Sequence, residues 1–442
     1  MSEPLERSAD PGTVDADNPW PGLAAFREAD HDHFHGREAE TQEILRLVLR
    51  ERLTVLFGLS GLGKTSLLRA GLFPHLRQEN VLPVYIRLDF SDAQGGLSPA
   101  AQVRREIRRE AAAAGIETPA WEEAETLWES LHRQGSELWS PRNRIVTPLL
   151  VFDQFEEIFT LGRRDAATAQ AAEAFLTELA DLCEGAPPAG LRARLEADPA
   201  AARAFSFTRH PYKILLSLRE DFLPELEGLR DRIRSIVHNR YRLQRMNGTN
   251  ALCVITRAGG HLVEEDVPGR IVDFVAGRAG DDASDGLEIE PALLSVVCRE
   301  LNHKRRAQGL PRITAALVQG NRDEILSGLY ERSVGDLGAE VRSFIEERLL
   351  TRSGFRDSVA LENAVELPGV TRAALDTLTD RRLLRIEDHG GMQRLELTHD
   401  VLTGVIRKSR DLRRQSEARG REEAARREAE RKLRRSRLAL GA

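Results

Sequence analysis

One eight-residue run, Gly58-Leu-Ser-Gly-Leu-Gly-Lys-Thr65, narrows the folds open to this chain more than any other feature. It follows the apolar stretch Leu53–Phe57, which reads as a strand, and precedes Ser66–Gln78, which reads as a helix. Gly, Lys and Thr at this spacing, between a strand and a helix, make a cradle for a phosphate chain. Gly58 and Gly63 let the backbone bend without a side-chain clash. The loop N–H groups and the helix N-terminus face the anion. Lys64 can reach the β and γ oxygens, and the Thr65 hydroxyl can hold Mg2+. The spacing therefore assigns Gly58, Ser60, Gly61, Gly63, Lys64, Thr65 and Ser66 to a nucleotide site. Composition sharpens this assignment. Of 64 basic residues only five are lysine, and one of the five falls where the loop requires it.

Two further strand ends carry charge. Leu149-Leu-Val-Phe-Asp-Gln-Phe-Glu-Glu157 is an apolar strand ending in acid. Downstream of a phosphate loop, Asp153 is expected to bind Mg2+ with Thr65. Glu156 or Glu157 is expected to polarise the attacking water, with Glu156 preferred. Lys213–Leu218 is another buried strand and leads into Arg219. Arg219 either reads the γ-phosphate or pairs with Glu220 or Asp221. ATP is preferred over GTP. Guanine selection commonly uses Asn/Thr-Lys-x-Asp, and none of the other four lysines is followed by x-Asp.

The 442 residues leave room for roughly two to four domains. The apolar strands, Pro83–Asp89 among them, alternate with helical stretches at Asp30–Arg52, Val103–Ala114, Trp121–Gln134 and Ala167–Cys183. That alternation predicts an α/β fold with a parallel-sheet core of the P-loop NTPase type. Gly185–His210, rich in Ala and Pro, reads as an irregular surface insertion. Past about Asn250 only helices are expected, at Ile271–Val275, Pro291–Arg306 and Asp323–Arg332. Helices at Val341–Leu350, Leu361–Glu366 and Thr371–Leu384 then precede strands Leu384–Glu387 and Arg394–Thr398, around the turn His389-Gly390-Gly391. That outline is a winged helix. The expected organisation is an unstructured arm over 1–18, the α/β core over 19–250, a helical lid over 251–335, a winged helix over 336–406 and a charged helical tail over 407–442.

From Val405 to Ala442 there are 14 basic and 6 acidic residues, so this end carries +8 against a whole-chain −6 and leaves −14 on the rest. A solvated connector helix is the expected reading, ahead of a basic membrane collar and a nucleic-acid arm. Three scattered cysteines, Cys183, Cys253 and Cys298, argue against a disulfide framework or zinc site. Met1–Pro19 has no apolar signal-peptide segment, and no run approaches 18 apolar residues. A cytoplasmic chain is expected. A position at the inner face of a membrane is also open, should the sequence continue beyond Arg437-Leu-Ala-Leu-Gly-Ala442 into a membrane helix.

Three motifs in order resemble the STAND class of signalling P-loop ATPases, related to NACHT and NB-ARC proteins, and most of all its bacterial novel STAND NTPase branch. The resemblance runs from about Pro19 to Ile406. Trp20-Pro-Gly-Leu-Ala-Ala-Phe26 and Phe34-His-Gly-Arg-Glu-Ala-Glu40 resemble its N-terminal signature, which implies that Gly36 and Arg37 border the adenine. Asp153-Gln-Phe-Glu-Glu157 is similar to its acidic strand and Leu218-Arg-Glu-Asp-Phe222 to its sensor segment. Pro291 falls where the family has an adenine-contacting proline, with Ile289 in place of the usual glycine. Thr398-His399-Asp400 resembles the Met-His-Asp motif, which implies a β-phosphate contact for His399 in an ADP-bound state.

The resemblance implies a slow ATPase switch with ATP and Mg2+ as cofactors. Nucleotide state would control domain rearrangement and assembly into a homo-oligomer, and an unidentified sensor or effector protein would be the partner. Two other readings are weighed beside it. One is a DNA-binding regulator acting through the winged helix. Thr371–Leu384 sets Arg372, Arg381 and Arg382 against Asp376 and Asp380, so that helix is nearly neutral and nucleic acid is not the expected partner. The other is a nucleotide-bound scaffold without turnover.

Overall fold

The structure is a computed structural model. It describes residues 14–89, 97–122, 124–160, 166–276, 287–318, 322–351, 357–381, 383–389, 392–398 and 402–440. The chain divides into two compact units, Met1–Gln319 with Asp388–Met392 and Gly320–Glu387 with Gln393–Ala442.

The first unit is built on strands β1 (Leu53–Gly58), β2 (Val81–Ile86), β3 (Leu138–Trp139), β4 (Ile145–Phe152), β5 (Lys213–Arg219) and β6 (Arg240–Arg242). Five of them run parallel in the order β2-β4-β5-β1-β6, and the short β3 pairs antiparallel with β4. Their side chains alternate between two buried layers. Val55, Val84, Leu150 and Leu216 pack on one face, and Leu56, Leu149, Val151 and Leu215 pack on the other. Burial on both faces is why these strands read as continuous apolar runs. The register pairs Gly58 with Arg219, Phe152 with Leu216 and Ile86 with Phe152. Four strand ends therefore meet at one edge of the sheet, the place where open α/β sheets bind ligands.

The helix after β1 runs from Lys64 to Gln78, with a π turn at Leu67–Leu72. Pro74 explains the turn. It has no N–H to give Ala70, so the ladder shifts and Phe73 N donates five residues back, to Leu68 O. Trp121, Glu122, Ala124 and Glu125 are not helical. The helix expected there starts later, at Leu127–His132, where Thr126 and Glu129 form a capping box. Gly185–His210 is not irregular throughout. It holds a helix at Ala189–Ala197 and a 3-10 turn at Pro199–Ala204.

Among the described residues four α-helices follow the sheet in the first unit: Gly248–Gly259, Val267–Ala276, Pro291–Ala307 and Ala315–Val318. Of the arm expected over 1–18, residues 14–18 lie against them. Asn302 Nδ2 donates to Asp17 O at 2.6 Å, and His261 Nε2 meets Ala16 O at 2.8 Å.

The second unit has helices Arg322–Val334, Ala339–Arg348, Leu361–Val365 and Arg372–Asp380. Strands β7 (Ser358–Ala360), β8 (Leu384–His389) and β9 (Met392–Leu397) form a small antiparallel sheet in the order β7-β9-β8. The sequence predicts a two-stranded hairpin here, and β7 adds a third strand. The last helix spans Thr403–Leu440. Its start is not a free connector, because Val405 and Ile406 are buried. Arg413 Nε reaches the fully buried Glu346 at 2.7 Å, and Ser409 Oγ donates to the other Glu346 oxygen at 2.6 Å. A buried carboxylate needs such donors, and they anchor the first turns of the helix. Among the described residues no helix is long and apolar enough to cross a membrane, and no group of His, Cys, Asp and Glu is placed to hold a metal ion.

Candidate functional site

The glycine-rich loop leaves β1 at Gly58, on the edge where the strand ends meet. A Cβ at Gly58 would lie 2.6 Å from Leu243 O, so only glycine fits against the chain leaving β6. Gly61 and Gly63 sit at φ of 82° and 83°, in the left-handed region that glycine adopts without strain. Ser60 is exposed at the tip of the loop. Lys64, Thr65 and Ser66 form the first turn of the helix. The Lys64 Nζ folds back and donates to Gly58 O at 2.8 Å and Leu59 O at 3.0 Å. Burial pulls the pKa of this ammonium down, and the nearby Glu156 and Asp153 charges oppose that pull.

The Thr65 hydroxyl donates to Asp153 Oδ2 at 2.7 Å. The two residues assigned to the cation are thus brought together from positions 88 apart. Asp153 is 3% exposed, and Ser217 Oγ also donates to its Oδ1 at 2.7 Å and Tyr85 OH to its Oδ2 at 3.0 Å. These hard oxygens suit Mg2+, and Asp153 and Thr65 are the ones that would hold it beside the phosphate loop.

Just past Asp153 the chain turns through Gln154, at φ 55°, and the two glutamates part. Glu157 is clamped by Arg87, whose Nη2 and Nε donate at 2.5 and 3.1 Å. Glu156 instead accepts from Arg219 N at 3.3 Å and lies in the field of Lys64. Burial pushes its carboxyl up to about 7, with Lys64 pulling the other way. A carboxyl poised near neutrality suits proton transfer. Arg219 closes the edge. Its Nη2 meets Asp221 Oδ2 at 2.6 Å, and its guanidinium lies 5.8 Å from the Phe222 ring centre.

Gly36, Arg37 and Pro291, also expected at the nucleotide, lie on other elements. Gly36, at φ 78°, packs on the backbone of Asn250, where a Cβ would come within 2.6 Å of the carbonyl oxygen. Arg37 is buried and engaged, with Nη1 on Glu40 at 2.5 Å and Nη2 on Gln244 O at 2.9 Å. It ties the first helix to the chain entering the helical part. Pro291 occupies the first turn of its helix. Further along that helix Ser295 Oγ accepts from Gly22 N at 2.9 Å, and Arg299 Nη1 donates to Pro21 O at 2.6 Å. The same N-terminal segment reaches the phosphate-loop helix, where Phe26 N donates to Ser66 Oγ at 3.2 Å. His399 lies outside the described residues.

Sequence reasoning overlooked Tyr85, Arg87 and Ser217. Ser217 left a trace: it is the one hydroxyl in the apolar run Ile214-Leu-Leu-Ser-Leu218.

A comparison of the sequence with curated proteins gave no match. Among solved structures the chain is similar to the Aeropyrum pernix ORC1 protein in complex with DNA, at 14% identity over 86% of this chain and 94% of that one, with a TM-score of 0.41. It is also similar to the Walker-type ATPase paby2304 of Pyrococcus abyssi, at 16% identity over 87% and 98%, with a TM-score of 0.39. Drosophila ORC bound to DNA matches at 15% identity over 92% and 95%, again with a TM-score of 0.39. At identities and scores of this size these likenesses carry no argument about this chain. The model of one family, Novel STAND NTPase 1, matches residues 19–436. That span holds the phosphate loop, the acidic strand end and the Arg219 segment in their places at one sheet edge, and the chain belongs to the novel STAND NTPase 1 family.

Proposed function

We propose that this chain is a slow ATPase switch whose nucleotide state governs rearrangement of its helical and C-terminal parts and its assembly with further copies of itself. The observation that carries the reading is the pairing of Thr65 with Asp153 at 2.7 Å beside Glu156, a carboxyl that burial holds near 7. The loop N–H groups and Lys64 bind the phosphates. On binding, Lys64 gives up the two carbonyls it now caps and turns to the β and γ oxygens. Thr65 and Asp153 are the residues that would hold Mg2+, which when bound would supply neutralising positive charge to the phosphates. Glu156 accepts the proton of the attacking water. Arg219 leaves Asp221 for the γ-phosphate, and the backbone N–H of the same residue already touches Glu156. That double attachment couples the presence of the γ-phosphate to the position of the base.

In this reading the small sheet and helices of the second unit act as the winged helix of the switch. Adenine, rather than guanine, fills the nucleotide site. The partner that triggers or receives the signal is another protein.

Phosphate release by the wild-type chain and by Glu156→Gln, together with the sizing profile in ATP and in ADP, tests the proposal. Release that disappears in Glu156→Gln, with a larger species in ATP than in ADP, supports a hydrolysing switch. Equal background release from both proteins, with the same ATP-dependent species, favours the scaffold without turnover. A single species in both nucleotides rejects the switch.

A further inference from the structure

Asp153 is gripped from both sides by strands other than its own. β4 lies between β2 and β5, with Val151 opposite Tyr85 and Phe152 opposite Leu216. Ser217 and Tyr85 therefore flank the residue that follows the strand. The backbone is pinned at the same place, since Asp153 N donates to Ile86 O at 3.0 Å and Phe155 N to Ser217 O at 2.9 Å.

We propose that Ser217 and Tyr85 are positioning residues that fix the plane of the Asp153 carboxylate for the divalent cation of the nucleotide site. The proposal rests on the nucleotide reading above. An ionised carboxylate only accepts, and its two oxygens offer about four lone-pair positions. Oδ2 takes two donors, Thr65 at 2.7 Å and Tyr85 at 3.0 Å, and Oδ1 takes Ser217 at 2.7 Å. Thr65 stands on the phosphate-loop helix, where its oxygen must serve the cation. Ser217 and Tyr85 stand on the sheet and keep their grip when it does. Each is placed for this task. The Ser217 side chain is fully buried, and a buried hydroxyl without a partner is costly. The Tyr85 ring is steadied by the Arg69 guanidinium, 5.1 Å from its centre. Without either hydroxyl the carboxylate turns more freely about its Cβ–Cγ bond.

The test uses the full chain with ADP, counting bound Mn2+ by electron paramagnetic resonance, and measures ADP affinity separately in EDTA. Ser217→Ala and Tyr85→Phe are each expected to raise the Mn2+ midpoint about five- to ten-fold. ADP affinity in EDTA should stay within about two-fold of wild type, and Ser217→Thr should restore the Mn2+ midpoint. A wild-type chain that binds Mn2+ with ADP, beside variants with the same midpoint, overturns this proposal and leaves the nucleotide reading standing. Parallel loss of ADP affinity in EDTA also overturns it, because the residues then serve general structure. A wild-type chain that binds no Mn2+ with ADP overturns both readings.

Discussion

Arg87 grips Glu157 through both carboxylate oxygens, while Glu156, one residue earlier, is left facing Lys64 and the backbone of Arg219. Two adjacent acids thereby have different surroundings. Glu156→Gln should lower hydrolysis by at least about 100-fold while nucleotide binding persists, the scale of a lost general base. Glu157→Gln should keep most of the rate, losing only what the Arg87 pair contributes to the loop. Single-turnover phosphate release with a binding titration alongside checks both variants. A larger loss in Glu157→Gln would reverse the assignment.

Lys64→Ala removes the only charged group of the phosphate loop. A charge-assisted contact contributes about 1.5–3 kcal/mol, so ATP affinity should fall about 10- to 150-fold. Calorimetric titration of both proteins gives the answer. Equal affinities would place the nucleotide elsewhere.

The Glu156 carboxyl sets a pH profile. With its pKa pushed up to about 7 by burial, the base is protonated in acid and free in alkali. The kcat/KM for ATP should rise with pH to a plateau above about 7, and Glu156→Gln should lack that limb. Stability runs the other way. The folded state holds a proton on Glu156 that the unfolded chain has released between its ordinary 4.5 and about 7. Stability therefore falls as pH rises through that window, and Glu156→Gln should be flatter there. Thermal melts across pH 5–8 measure the difference.

A second titration acts in acid. His132 is 1% exposed, stacked on Trp128 at 3.8 Å, and its Nδ1 meets Trp128 O at 2.8 Å. A carbonyl can only accept, so Nδ1 carries the proton and Nε2 is left to accept from His210 Nδ1 at 3.2 Å. Tyr212 lies edge-on to the ring, and the Arg52 charge faces it. Burial is the largest cause lowering its pKa to about 4, with His210 and Arg52 adding to it. The unfolded chain takes up this proton at its ordinary 6.5, so stability present above 6.5 is lost as pH falls towards 4. The loss reaches at most about 3 kcal/mol. His132→Gln should shrink the fall in melting temperature between pH 7 and 4.5. An unchanged slope would remove His132 as its source.

Gly36→Ala should destabilise the protein by about 1–3 kcal/mol, because a side chain there meets both a left-handed φ and the Asn250 carbonyl. Gly63→Ala shares the φ but has open space around the new methyl, so its cost should be smaller. Denaturant midpoints of the two variants compare them directly.

The phosphate loop could be read from sequence because all its parts lie within eight consecutive residues. Asp153 could be read because it ends an apolar strand. Ser217 and Tyr85 could not, since their roles depend on β4 lying between β2 and β5, and strand order is a long-range property. Arg87 depends on the same neighbour relation. The short strands β6 and β7, three residues each, were too brief to show a period. The helix Gly248–Gly259 was obscured by its Gly-Thr-Asn start, although Asn247 caps it through a bond to Asn250 N at 2.7 Å. The Ala189–Ala197 helix was hidden by the prolines on either side, which punctuate the segment without entering the helix.

The segment from Gly22 to Phe26 acts as a leash. One end is tied to Ser295 on the helix that begins at Pro291, and the other is tied to Ser66, next to the threonine that pairs with Asp153. Four residue steps at about 3.3–3.6 Å extend to about 14 Å. While both knots hold, the Pro291 helix can part from the phosphate-loop helix by little more than that reach. A wider swing must untie a hydrogen bond worth about 1 kcal/mol net, so the leash adds a modest resistance to overextension.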